Sequence, residues 1–111
     1  MSENKKMYKL SFVNNGKPFE LGKWTVKKHN DVLRETTKYE KSNKDTTEEE
    51  RNTKYQTLLI LKGLKEIDSS VTEEKIEDMH PLDRNEIFSA IFNSGREGIT
   101  PDAENFQKKK K

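Results

Sequence analysis

Apolar residues in this chain fall in three islands, at 7 to 33, 55 to 67 and 71 to 92, and the spacing inside each island predicts a different element. In the first, Tyr8, Leu10 and Phe12 alternate with Lys9 and Ser11, the period-two pattern of a half-buried strand. Asn15-Gly16 follows, a dipeptide that tolerates positive φ at both positions, and Phe19 and Leu21 resume the alternation. The pattern therefore predicts an N-terminal β-hairpin, with a bulge or bend where Gly22 and Lys23 break the period. A two-stranded hairpin is marginal in water, so its apolar face must lie on helices or on a second copy.

Four helices are expected after it, over about 26–40, 47–66, 73–79 and 81–94. Thr25 caps the first, along one side of which lie Val26, His29, Val32, Leu33 and Thr36. Thr47 and Glu50 form a capping box that opens the longest helix. The first two turns of that helix are polar, and its apolar set runs from Tyr55 to Leu64. Gly63 inside it costs roughly 1 kcal/mol relative to Ala and leaves room for a close neighbour. The densest cluster is the stretch from Val71 to Gly95. There Thr72 caps a short helix with Glu73 and Glu74 in its first turn, and Val71 folds back on Ile76 as a staple. Pro81 ends that helix and opens the next, on which Leu82, Ile87, Phe88, Ile91 and Phe92 gather on one side until Asn93 and Gly95 stop it. The expected fold class is α+β, mostly α: a flexible 1–6, a single small domain over 7–95, and a disordered, basic-ended tail over 96–111.

Composition narrows the function classes. Of 111 residues 29% are hydrophobic and 38% charged, which suits a compact body with extended pieces that assembles with partners. No cysteine is present, which removes disulfides, thiolate metal sites and cysteine nucleophiles. No run of about eighteen apolar residues exists, and the N-terminus lacks a basic segment followed by an apolar one, so a soluble cytoplasmic protein is expected. The net charge of +2 is uneven: residues 1–41 carry +5, residues 42–107 carry −7, and Lys108 to Lys111 add +4. The basic pI is thus largely a tail effect and points only weakly to nucleic acid, while the two-signed distribution permits self-association.

Candidate chemistry is sparse. His29 and His80 are the only histidines, with no acidic residue at a recognisable triad spacing and no nucleophile turn, and His80 before Pro81 suits a cap of the following helix. Glu73, Glu74, Glu77 and Asp78 share a short helix, as acidic first turns commonly do. No phosphate-cradling loop is present. The expectation is no catalysis, no metal and no cofactor.

The order of features resembles the tail assembly chaperones of long-tailed bacteriophages, small proteins encoded just upstream of the tape measure protein. The resemblance is carried by Tyr8 to Val13 with the following Gly16-Lys17 turn, by Trp24 to Leu33, and above all by Met79-His80-Pro81-Leu82-Asp83 with Ile87 to Gly95. It implies an α-rich protein of the host cell cytoplasm, not part of the mature virion. Such a protein coats the tape measure protein, keeps it soluble and helps the major tail protein polymerise around it. In many members a programmed frameshift appends a second domain. On that resemblance Lys108, Lys109, Lys110 and Lys111 are the expected product of an adenine-rich slippery run, which the nucleotide sequence tests. Candidate partner contacts are Trp24, Leu59, Phe88, Ile91 and Phe92, for each of which a place in the core is the alternative.

Two other functions fit the sequence. One is a small inhibitor or regulator that binds a host protein through the acidic middle. The other is a nucleic-acid-binding module that uses the basic N-terminal part, with Tyr8, Phe12 and Trp24 as stacking residues on the hairpin.

Overall fold

The computed structural model describes residues 6–96. Four helices form, α1 over Val26–Ser42, α2 over Glu48–Lys65, α3 over Glu73–Glu77 and α4 over Pro81–Phe92. Each begins where a side chain supplies a partner for amides that have none within the helix. The Thr25 hydroxyl accepts from the Lys28 N–H at 3.3 Å, and the Thr72 hydroxyl from the Lys75 N–H at 3.4 Å. Thr47 and Glu50 make both bonds of the capping box, at 3.0 and 3.1 Å. Nδ1 of His80 accepts from the Leu82 N–H at 3.1 Å, with Pro81 at the first helical position.

The expected β-hairpin does not form, and the fold is all-α rather than α+β: no strand exists among the described residues. What remains of the pairing is one antiparallel bridge, Tyr8 to Phe19, with N···O distances of 2.8 and 2.9 Å. The physical reason lies between them. Phe12 packs partly into the core while its neighbour Val13 is wholly buried, and two consecutive inward side chains are incompatible with a strand's alternation. The chain instead bends, with the Val13 N–H donating to Leu10 O at 3.1 Å. It then turns through three left-handed residues, Asn14, Asn15 and Gly16, at φ of 54°, 57° and 77°. Asn and Gly adopt this region most readily, so the dipeptide does make a turn, but not the two-residue link of a hairpin. The Asn14 N–H donates to the Asp68 carboxylate at 2.9 Å, which fixes the turn to the connection between α2 and α3.

The centre of the fold is α2, which packs against α1, α3 and α4. Leu59, Ile60 and Leu64 are fully buried, joined by Val32 of α1, Ile76 of α3, and Ile87 and Ile91 of α4. Val71 and Ile76 are both buried, as a staple requires. The 71–95 stretch, the densest apolar cluster of the sequence, thus packs against α2 through α3 and α4. At Gly63 the packing of α2 on α4 is tight: a Cβ there would lie 2.8 and 2.9 Å from Cγ2 and Cδ1 of Ile91. Ion pairs fasten α1 to α2 along their length, Lys28 to Glu66 at 2.8 Å, Lys62 to Asp31 at 3.0 Å and Arg51 to Glu40 at 2.9 Å. Lys54 joins three helices, pairing with Glu73 of α3 at 3.1 Å and lying 4.9 Å from the ring centre of Tyr39.

Before α1 the chain runs back to the end of α4. The Trp24 N–H donates to Ser94 O at 3.1 Å, and the Ser94 hydroxyl donates to Gly22 O at 2.7 Å. Gly95, at φ +72°, lies so close to Lys23 that a Cβ there would come within 2.6 Å of the lysine Cβ. Of the tail expected over 96–111 only Arg96 is described, and 97–111 lie outside the described residues.

Candidate functional site

Five rings from three helices and the segment before α1 meet on one side of the molecule. Thr25 sets the start of α1, which carries His29 on its first turn, and the tie from Trp24 to Ser94 brings the indole across to the end of α4. Phe88 and Phe92, four apart, share a face of α4, and Tyr55 rises from the middle of α2. His29 is the hub. Its ring centre lies 6.3 Å from that of Trp24, 5.9 Å from Tyr55 and 5.8 Å from Phe92, the first two edge-on. Tyr55 meets Phe88 edge-on at 6.1 Å, and Phe88 and Phe92 lie offset with their planes 6° apart. Each such pair contributes about 0.5–1.5 kcal/mol beyond the area it buries. The Trp24 indole N–H donates to Nδ1 of His29 in a long bond of 3.4 Å, so Nδ1 offers its lone pair and the neutral ring carries its proton on Nε2. Burial pushes the Tyr55 phenol above its ordinary value.

This cluster opens to solvent. Trp24, His29, Tyr55 and Phe88 are half-buried, while Phe92 is 46% exposed. On α1 Val26 is 76% and Leu33 39% exposed, three residues before and four after His29, hence on either side of it along one stripe. The apolar side of α1 is therefore split. Val32 and Thr36 face the core, and Val26 and Leu33 stand beside the rings. Large apolar side chains exposed together are characteristic of surfaces that bind other molecules.

Of the candidate contacts, Trp24, Phe88 and Phe92 come together here. Leu59 and Ile91 do not: at 0% and 1% exposure they are core residues that no partner reaches while the fold is intact. His29, Tyr55, Val26 and Leu33 belong to the surface and were not among the candidates. The shared side of Val26, His29 and Leu33 on α1 was legible in their helical spacing, whereas nothing in the sequence joined that side to Tyr55. Lys108 to Lys111 lie outside the described residues.

The stacking platform of a nucleic-acid module is missing, because Tyr8 pairs with Phe19, Phe12 packs on the core and Trp24 joins a different cluster. The acidic middle is partly neutralised within the chain, Glu66 by Lys28 and Glu73 by Lys54. An open groove of about 1060 Å³ runs elsewhere, between the N-terminal segment and α4; Tyr8, Leu21, Leu82 and Ala90 line it together with polar Asn85, Glu86, Ser89 and Asn93. Among the described residues there is no cluster of three or more potential metal ligands, and no helix is long and apolar enough to cross a membrane. Comparison with protein-family models, with curated proteins and with solved structures gave no match in any of the three.

Proposed function

We propose that this chain is a tail assembly chaperone of a long-tailed bacteriophage, acting by binding and not by catalysis. In the host cytoplasm it holds the tape measure protein in soluble form while the major tail protein polymerises around it. The name of the client rests on the sequence resemblance carried by Trp24 to Leu33 and Met79 to Gly95. The observation that supports a holding function is the ring surface, where Phe92, Val26 and Leu33 stand exposed around half-buried Trp24, His29, Tyr55 and Phe88. An elongated helical client presents apolar stripes that aggregate when bare, and an exposed surface of rings suits such a stripe.

Phe92→Glu tests this. The side chain is already half in water, so helical dichroism stays at the wild-type level, while a charge at the centre of the surface removes an aromatic anchor. Loss of such anchors costs on the order of 2 kcal/mol, roughly thirtyfold in affinity. Co-expressed with the long reading frame beside its gene, the wild-type chain keeps the client in the soluble fraction and Phe92→Glu does not. A client that stays soluble with Phe92→Glu, or precipitates with the wild type, refutes the proposal.

A further inference from the structure

The ring surface has unlike borders, and these select its partner. On α1 Lys27, Arg34, Lys38 and Lys41 are spaced by seven, four and three, so they form one stripe. Lys27 and Arg34 follow Val26 and Leu33 by one residue, about 100° round the helix, so the basic stripe flanks the apolar one with only the neutral Asn30 and Thr37 between them. The acids of α1 do not interrupt this border. Asp31 and Glu35 lie beyond the basic stripe, where Asp31 pairs with Lys62 and Arg34, and Glu35 with Lys38. Glu40, seven residues after Leu33, ends the apolar stripe itself, bound to Arg51 at 2.9 Å. Lys27 and Lys41 have no ion-pair partner among the described residues. Across the surface the border is neutral, Asn85 and Ser89 of α4 lying next to Phe92 and Phe88 in the helical repeat. The acids of α4, Asp83 and Glu86, line a hollow with Tyr8 and Leu10 on another side.

We propose that the ring surface selects amphipathic helical segments whose apolar stripe is bordered on one side by Asp and Glu, seated so that the acidic border lies along Lys27, Arg34, Lys38 and Lys41. This rests on the reading that the surface holds another polypeptide, and adds which polypeptides. The basic stripe orients the helix and rejects segments with Lys or Arg on that flank, because like charges brought together at an interface are repelled.

The test uses the full chain and two synthetic peptides without tryptophan that share one leucine stripe, one flanked by Glu and the other by Lys. Trp24 is the only tryptophan and lies in the surface, so its emission reports binding directly. The Glu peptide binds about tenfold tighter than the Lys peptide, a difference that shrinks as salt rises. In Lys27→Glu with Lys41→Glu, which breaks no ion pair within the described residues, the preference falls or reverses, and Phe92→Glu loses both peptides. Equal binding of the two peptides, abolished by Phe92→Glu, overturns the charge selection and leaves polypeptide holding in place. Failure of both peptides to bind overturns the charge selection and the polypeptide holding alike. A dimer in sedimentation that Phe92→Glu dissolves also overturns the proposal, since a second copy then covers the rings.

Discussion

Substituting Gly63 by Ala puts two opposing forces on one atom. In an exposed helix interior the change adds about 1 kcal/mol of stability, because Ala has the higher helix propensity. Here the new methyl would lie 2.8, 2.9 and 3.1 Å from Cγ2, Cδ1 and Cγ1 of Ile91. Ile91 is fully buried on α4, in an interior that is ordinarily close-packed, so α4 must move away from α2 or Ile91 must leave its rotamer. Overpacking of this kind costs about 1–3 kcal/mol, which outweighs the propensity gain and leaves a net loss of about 1 kcal/mol. In a domain of this size that is a fall in Tm of about 4–8 °C. Urea unfolding followed by far-ultraviolet dichroism measures the loss, and a second substitution tests its cause. Ile91→Val removes Cδ1, one of the clashing atoms, and by itself costs about 0.5–1.5 kcal/mol. Combined with Gly63→Ala it should cost at least about 0.5 kcal/mol less than the two losses added together. A Gly63→Ala variant more stable than wild type, or a pair whose effects simply add, would refute the claim that this glycine sets the distance between the two helices.

Other outcomes follow from the caps and the turn. Thr47→Ala loses the hydroxyl that accepts from the Glu50 N–H, while the bond from the backbone N–H of residue 47 to the Glu50 carboxylate stays available, and it lowers stability by about 1 kcal/mol, with the earliest amide exchange in the first turn of α2. Asp68 is held below its ordinary value of 3.8, first by the Ser70 hydroxyl and then by the N–H groups of Ser70 and Asn14. With the folded value depressed, the contribution is complete above the unfolded value and is lost as pH falls through the folded one. Asp68→Ala should therefore flatten stability below about pH 4 and speed exchange at the Asn14 amide; an acid limb identical to wild type would contradict the assignment.

The helices were legible because what starts and stops them is local. Thr25, Thr47, Thr72 and Pro81 each act within one turn, and the observed bounds differ from the expected ones by at most two residues. The N-terminal segment was misread for the opposite reason. Asn15-Gly16 marks a turn, but the side chain that fixes that turn, Asp68, is 54 positions away, and Val13 turns inward because of a core the alternation cannot show. The same limit applies to the site. Phe88 and Phe92 declare a shared face through their spacing, whereas the meeting of Trp24, His29 and Tyr55 depends on how α1, α2 and α4 are stacked. Leu59 and Ile91 matched the composition of a contact surface, and the stacking buried them.

The tie between Ser94 and the Gly22 to Trp24 segment has a consequence for anything joined after Arg96. Ser94, two residues before Arg96, is held 3.1 Å from the backbone N–H of Trp24, so any continuation is attached to the body beside a residue of the binding face. A tethered sequence of even weak affinity competes there at millimolar effective concentration, against which a free client must prevail.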